Sequence, residues 1–196
     1  FKNNKIILTF VALFVIFISY LLLPTFYNQP DISEKLKSEL KSKFDLDFKF
    51  TQDIKYNFFP SPHFTTEESV IFKEKNKISD IRKLKIYISF NNFFSSNNID
   101  IQDLVVENAN FDLNRNNYNF FIQLLQKNFQ DRKFTIKDSN IFFRNMDNEV
   151  LFISKILKTK YYYEPKELKN IFYTESEIFN IPFSMELFIK ENKSKI

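Results

Sequence analysis

Residues 46–58 read Leu46-Asp47-Phe48-Lys49-Phe50-Thr51-Gln52-Asp53-Ile54-Lys55-Tyr56-Asn57-Phe58. Leu46, Phe48, Phe50, Ile54, Tyr56 and Phe58 fall on one side of an extended chain, and Asp45, Asp47, Lys49, Thr51, Asp53, Lys55 and Asn57 on the other. A period of two with one break at Gln52 describes a strand that buries one face and wets the other. Just upstream the period is four: Ile32, Leu36, Leu40 and Phe44 recur between Lys and Glu, which predicts an amphipathic helix ending near Phe44. Asp31, with Glu34 three residues on and Pro30 before it, has the pattern of a helix start.

Downstream the alternation returns in Leu84, Ile86, Ile88 and Phe90, in Ala109, Phe111 and Leu113, and from Phe179 through Ile181, Phe183, Met185, Leu187 and Ile189. Shorter apolar runs at 70–72, 99–106, 134–143, 150–156, 161–163 and 171–173 predict further strands, and only 120–127 suggests a second helix. Many strands in series with short polar connections imply a mainly β chain, a largely antiparallel meander. No linker divides it, so one β-domain is expected over residues 28–196.

Residues 6–23 carry no charge. As a helix they reach about 27 Å, close to the roughly 30 Å hydrocarbon core of a bilayer. Ile6, Leu8, Val11, Leu13, Val15, Phe17, Tyr20 and Leu23 are the expected anchor residues within a segment spanning residues 1–27. Tyr20-Leu21-Leu22-Leu23-Pro24 lacks the small residues of a cleavage site, which favours an uncleaved anchor over a signal peptide. Lys2 and Lys5 precede the run and no Lys or Arg follows it as far as Gln29, so the expected orientation puts the N-terminus in the cytoplasm. In a bacterium the rest of the chain then faces the periplasm.

The composition removes several classes of site. The 196 residues include no Gly, no Cys, no Trp and one His. Without Gly there is no P-loop, no dinucleotide fingerprint and no nucleophile elbow. Without Cys and with a lone His there is little from which to build a structural zinc site or a nucleophilic triad. No catalytic residue, metal ligand or cofactor is expected. The charge balance of 28 Lys plus Arg against 24 Asp plus Glu, evenly interspersed, disfavours nucleic acid as a partner. The Phe, Lys, Asn and Ile enrichment matches A/T-rich codon usage. Asn is the expected substitute for Gly in turns, at Asn91-Asn92, Asn97-Asn98, Asn116-Asn117 and 145–148.

His63, between Pro62 and Phe64, is expected in a loop. Asp45 with Asp47 and the pair Glu67-Glu68 read as solvated carboxylates, and Tyr161-Tyr162-Tyr163 as strand residues. An apolar face this long either packs into a closed, dry sandwich core or curls into a groove that holds something apolar.

A set of short motifs bears on that choice. Asn57-Phe58-Phe59-Pro60-Ser61-Pro62-His63-Phe64, followed by Ser69-Val70, resembles the strand and Pro-x-Pro turn of the AsmA family, which lies behind a membrane anchor and a short helix. In the same order, residues 84–94 (LKIYISFNNFF) resemble the family's next strand and turn, 99–113 (IDIQDLVVENANFDL) its following hairpin, Asn117-Tyr118 its Asn-Trp motif, and 134–145 (FTIKDSNIFFRN) its Ile-x-Asp-Gly hairpin, with Ser139 at the Gly position. The resemblance implies a non-enzymatic inner-membrane protein projecting into the periplasm and serving outer-membrane biogenesis. It implies a curled β-groove that binds or conducts membrane phospholipids, lined here by Leu46, Phe48, Phe50, Ile54, Tyr56, Phe58, Leu84, Ile86, Ile88 and Phe90. The alternative is an adaptor with a closed core that engages envelope assembly proteins and affects outer-membrane protein assembly and protein targeting to the membrane. Family members are far longer, so a fragment or truncated member, unable to bridge two membranes alone, is expected.

Overall fold

The computed structural model describes residues 2–73, 76–91, 93–96, 99–119, 122 and 133–190. Helix α1, Lys2–Leu22, is followed by a 3-10 turn, Leu23–Phe26, and helix α2, Gln29–Phe44. An 18-residue window within residues 5–26 has a mean hydropathy of 2.9, and this segment is long and apolar enough to cross a membrane. Its side chains from Ile6 to Phe17 are exposed on every side, as in a helix solvated by lipid rather than packed in a core. Helix α2 begins earlier than expected. Its N-cap is Asn28, and Pro30 sits in the first turn, where a missing N–H removes no helical bond. Asp31 therefore lies inside that turn, favourably placed against the helix dipole, instead of capping it. The helix ends at Phe44 because Asp45 turns left-handed, φ 58°, with its N–H donated to the Lys41 carbonyl.

Residues 46–58 contain two strands, β1 (Asp47–Phe50) and β2 (Lys55–Asn57), both antiparallel to β3 (His63–Lys73). The sheet continues through β4 (Asn76–Ile88), β5 (Ile101–Leu113), β6 (Lys133–Arg144), β7 (Val150–Glu164), β8 (Lys169–Ile178) and β9 (Ile181–Lys190). Spatial order follows chain order, and the sheet is open at β9. The meander is antiparallel with one exception, since β5 and β6 run parallel. A parallel pair needs a long crossover, and residues 114–132 supply it. The helix expected at 120–127 falls in this crossover and, apart from Ile122, lies outside the described residues.

Strict alternation fails at one shared level in five adjacent strands. Inward residues are Phe64 and Thr66, then Ser69 and Ile71 in β3; Leu84 and Ile86 against Ile81 and Ser79 in β4; Leu104 and Val106, then Ala109 and Phe111 in β5. In β7 they are Ser154 and Ile156, then Thr159 and Tyr161. These phase changes line up across the sheet, because Glu67 pairs with Lys83 and Ser69 with Ile81, Ile81 with Ala109, and Ser139 with Ile156. Glu68, Asn108 and Asp138 in this row are left-handed, with φ of 52°, 55° and 48°. Each puts two successive residues towards the outer face of its strand while the pairing register runs on unchanged, Glu67 with Lys83 and Ser69 with Ile81 in β3 and β4, Glu107 with Lys137 and Asn110 with Asn140 in β5 and β6. Together they crease the sheet from β3 to β7. Ser139 closes the ladder at the crease: its buried hydroxyl accepts the Ala109 N–H at 2.9 Å and donates to the Lys137 carbonyl at 2.7 Å.

Asn meets only part of the demand for left-handed backbone. Asn108, Asn148 and Asn180 have positive φ, but so do Asp45, Glu68, Asp138, Leu168 and Phe179. Asn92, Asn97 and Asn98 lie outside the described residues. Asn117 works through its side chain, with Oδ1 accepting the Asn114 N–H and Nδ2 donating to the Asp112 carbonyl. Phe179, expected within a strand, is paired with Asn180 as the two-residue β8–β9 turn, both at positive φ (51° and 62°). This is the geometry that the twist of a tight hairpin selects.

Two substitutions test these assignments. Left-handed backbone costs a residue with a Cβ about 1–2 kcal/mol, so Phe179→Gly raises the chemical denaturation midpoint by an amount worth up to about 1 kcal/mol. Ser139→Ala strands the buried Ala109 N–H and lowers stability by about 1–3 kcal/mol.

Candidate functional site: an apolar trough

Helix α2 covers only part of the apolar face. Ile32, Leu36, Leu40 and Phe44 join Leu84, Ile86, Ile88, Leu104 and Val106 in one buried cluster. Lys43 fastens the end of the helix to the start of β5 through Asp100 and the Ile101 carbonyl. The half of the sheet nearest the anchor is thus a closed core. Beyond Phe44, whose ring lies 6.2 Å from that of Phe134, no helix among the described residues covers the face.

A cavity of about 260 Å³ occupies this uncovered region. Its wall includes Ile71 of β3, Ile78 of β4, Phe111 of β5, Ile136 and Ile141 of β6, Ile156 of β7, Phe172 of β8, and Phe183 and Met185 of β9. In a flat sheet Ile71 and Phe183 would stand six strand spacings apart, about 29 Å. Both border one cavity, so the sheet curls. Phe183 and Met185 remain about 40 % exposed because β9 is the edge. Three of the hydroxyls in the wall satisfy one another: Thr159 and Thr174 are 2.7 Å apart, and Thr174 and Ser176 2.9 Å. Burial pushes the Tyr161 phenol, also in the wall, up to about 12.

The ten residues expected to line a groove take three positions. Leu46 borders the cavity. Phe48, Ile54, Leu84, Ile86 and Ile88 are buried in the cluster, and Phe50 and Tyr56 pack half-buried against it. Phe58 and Phe90 are exposed at the end of the sheet nearest α1. The uncovered apolar wall therefore belongs mostly to β5–β9. Its residues were harder to select by period, since the crease shifts the inward phase within β5, β6 and β7.

The anchor is built into the domain by tyrosines. Tyr20 donates its hydroxyl to the Phe90 carbonyl at 2.8 Å and accepts the Phe93 N–H at 3.0 Å. Tyr27 donates to the Phe93 carbonyl, and Tyr56 to the Leu21 carbonyl. Burial, reinforced by neighbouring Tyr27, pushes Tyr56 up to about 12. Of the expected anchor residues, Ile6 to Phe17 project freely, whereas Tyr20 and Leu23 pack against the domain.

His63 is a buried strand residue, not a loop residue. It opens β3, stacks on Tyr87 at 4.9 Å and places Nδ1 2.8 Å from the Ser61 carbonyl, to which it donates. Asp45 and Asp47 pair with Lys73 and Lys41. Glu67 and Glu68 are exposed at the crease. Tyr161 is buried within β7, with Tyr162 and Tyr163 half-buried beside it. Among the described residues no three His, Cys, Asp or Glu side chains converge as a metal site would require.

An N-terminal helix compatible with a single-pass membrane anchor, leading into an open, curled sheet with an uncovered apolar wall, defines a mainly β protein. The AsmA family model matches residues 1–141, and the chain belongs to that family. A search of curated proteins found no match. Membership suggests a role in biogenesis of the cell envelope and outer membrane. The matched region ends inside β6, and β7–β9 extend the same sheet and carry much of the trough wall.

The raised tyrosines make stability fall in alkali. For a phenol whose folded pKa lies above its unfolded value of about 10, the contribution is full below pH 10 and is lost as pH rises through the folded value. Stability measured by denaturant titration is expected to decline from pH 10 towards pH 12, and the double variant Tyr56→Phe/Tyr161→Phe to show a shallower decline.

Proposed function

We propose that this chain is a non-enzymatic, single-pass protein of the bacterial inner membrane, with its N-terminus in the cytoplasm and its sheet in the periplasm, that binds or conducts phospholipid along the trough. The observation that carries this reading is the cavity shared by strands β3 to β9, apolar in its wall and left uncovered by α2. Lys5 and the uncharged run behind it support the orientation. The Thr159, Thr174 and Ser176 hydroxyls are turned to each other and the rest of the wall is mainly apolar, so it offers acyl chains a dry surface without selecting a head group. Affinity then scales with chain length, at about 0.8 kcal/mol per buried CH₂.

Native mass spectrometry of the detergent-extracted chain is expected to show co-purified phospholipid, and Ile136→Glu and Phe183→Glu to release it. Shortening the acyl chain by two methylenes should weaken binding by up to about 15-fold, the equivalent of about 1.6 kcal/mol. Exchanging the head group should leave it within about twofold. Lipid-free protein, or glutamate variants that retain lipid, would refute the trough as a lipid site.

A further inference from the structure

Three loops of the domain converge where α1 ends, and each carries exposed phenylalanine. The 3-10 turn presents Phe26, 84 % exposed. The β2–β3 connection presents Phe58 and Phe59, the latter 78 % exposed, and the segment after β4 presents Phe90 and Phe94, the latter 80 % exposed. The two sheet loops are held side by side by the Ile88 N–H donated to the Pro62 carbonyl. Both hydrogen bonds of the Tyr20 hydroxyl go to the backbone of residues 90–93, and its ring lies 5.2 Å from Phe93 and 5.3 Å from Phe94. Phe93 itself is buried, so the loop is a packed structure that nevertheless turns Phe90 and Phe94 outward.

A turn tip in water gains nothing from a large ring, and a contiguous apolar patch on a soluble surface marks a contact. The occupant follows from position. Tyr20 belongs to the segment long and apolar enough to cross a membrane, residues 5–26, and it touches the loop directly. A bilayer around α1 must meet these loops at the head-group and acyl boundary, where exposed Phe side chains of interfacial segments bury. We infer that Phe26, Phe58, Phe59, Phe90 and Phe94 form a collar that inserts into the interfacial layer of the bilayer from which α1 emerges, standing the sheet end-on against the membrane. The inference rests on α1 spanning the bilayer and not on what the trough carries. The strands run from this collar to the opposite end of the sheet, where Met146 lies in the β6–β7 turn. With β5 thirteen residues long, that end stands about 40 Å from the membrane surface.

The absence of Trp from the chain makes single-Trp reporters unambiguous. The full chain carrying Leu13→Trp, Phe59→Trp, Phe94→Trp or Met146→Trp would be reconstituted in phosphatidylcholine and phosphatidylglycerol vesicles, and fluorescence quenching compared between lipids brominated at shallow and deep acyl positions. Leu13→Trp should be quenched most by deep bromines, Phe59→Trp and Phe94→Trp most by shallow ones, and Met146→Trp by neither. Quenched Leu13→Trp with unquenched collar reporters overturns the collar while leaving the anchor intact. Quenching of Met146→Trp equal to that of the collar shows a sheet lying flat and overturns the end-on arrangement. An unquenched Leu13→Trp removes the anchor and the collar with it.

Discussion

One helix of sixteen residues faces an apolar surface laid down by nine strands. That imbalance governs the rest of the molecule. The Ile32, Leu36, Leu40 and Phe44 stripe is long enough to seal the strands nearest the anchor, and there it produces a core of fully buried Leu and Ile. Farther along, with no second layer among the described residues, the sheet reduces its exposed apolar surface by curling on itself. A closed core and an uncovered trough thus coexist on one continuous face.

A crease also crosses the strands. Glu68, Asn108 and Asp138 each accept a left-handed backbone in the same transverse row, and this moves the inward phase by one residue in neighbouring strands together. Since a one-residue slip in a single strand would turn its apolar set outward, the phase changes are stable only as a set. Ser139, which bridges β5 and β6 there, keeps the parallel pair connected where the backbone ladder departs from its spacing. The lack of glycine shifts the conformational cost to side chains: Asn and Asp take some left-handed positions at small cost, while Glu68, Leu168 and Phe179 take others against their steric preference.

Helix α1 and the domain form a continuous structure. Tyr20, Tyr27 and Tyr56 bind backbone groups across the junction, and the same contacts that hold the helix also shape the loop that presents Phe90 and Phe94. Trough and collar are therefore parts of one frame, with the closed core beneath α2 between them.

Composition and period by themselves determined the apolar helix, the amphipathic stripe from Ile32 to Phe44, the mainly β class and the ordered motifs of the family, because each depends on neighbours a few residues apart. They also specified that one face of the sheet is apolar. Which part of that face is closed depended on where α2 lies, and which residues point inward after Glu68, Asn108 and Asp138 depended on a crease shared by five strands. The parallel pairing of β5 with β6 and the burial of His63 against Tyr87 arise in the same way. Such features are set by partners distant in the chain, so Leu84 and Ile86 carry the same alternating signal as Ile136 and Ile141, although the first pair lies under a helix and the second lines the trough.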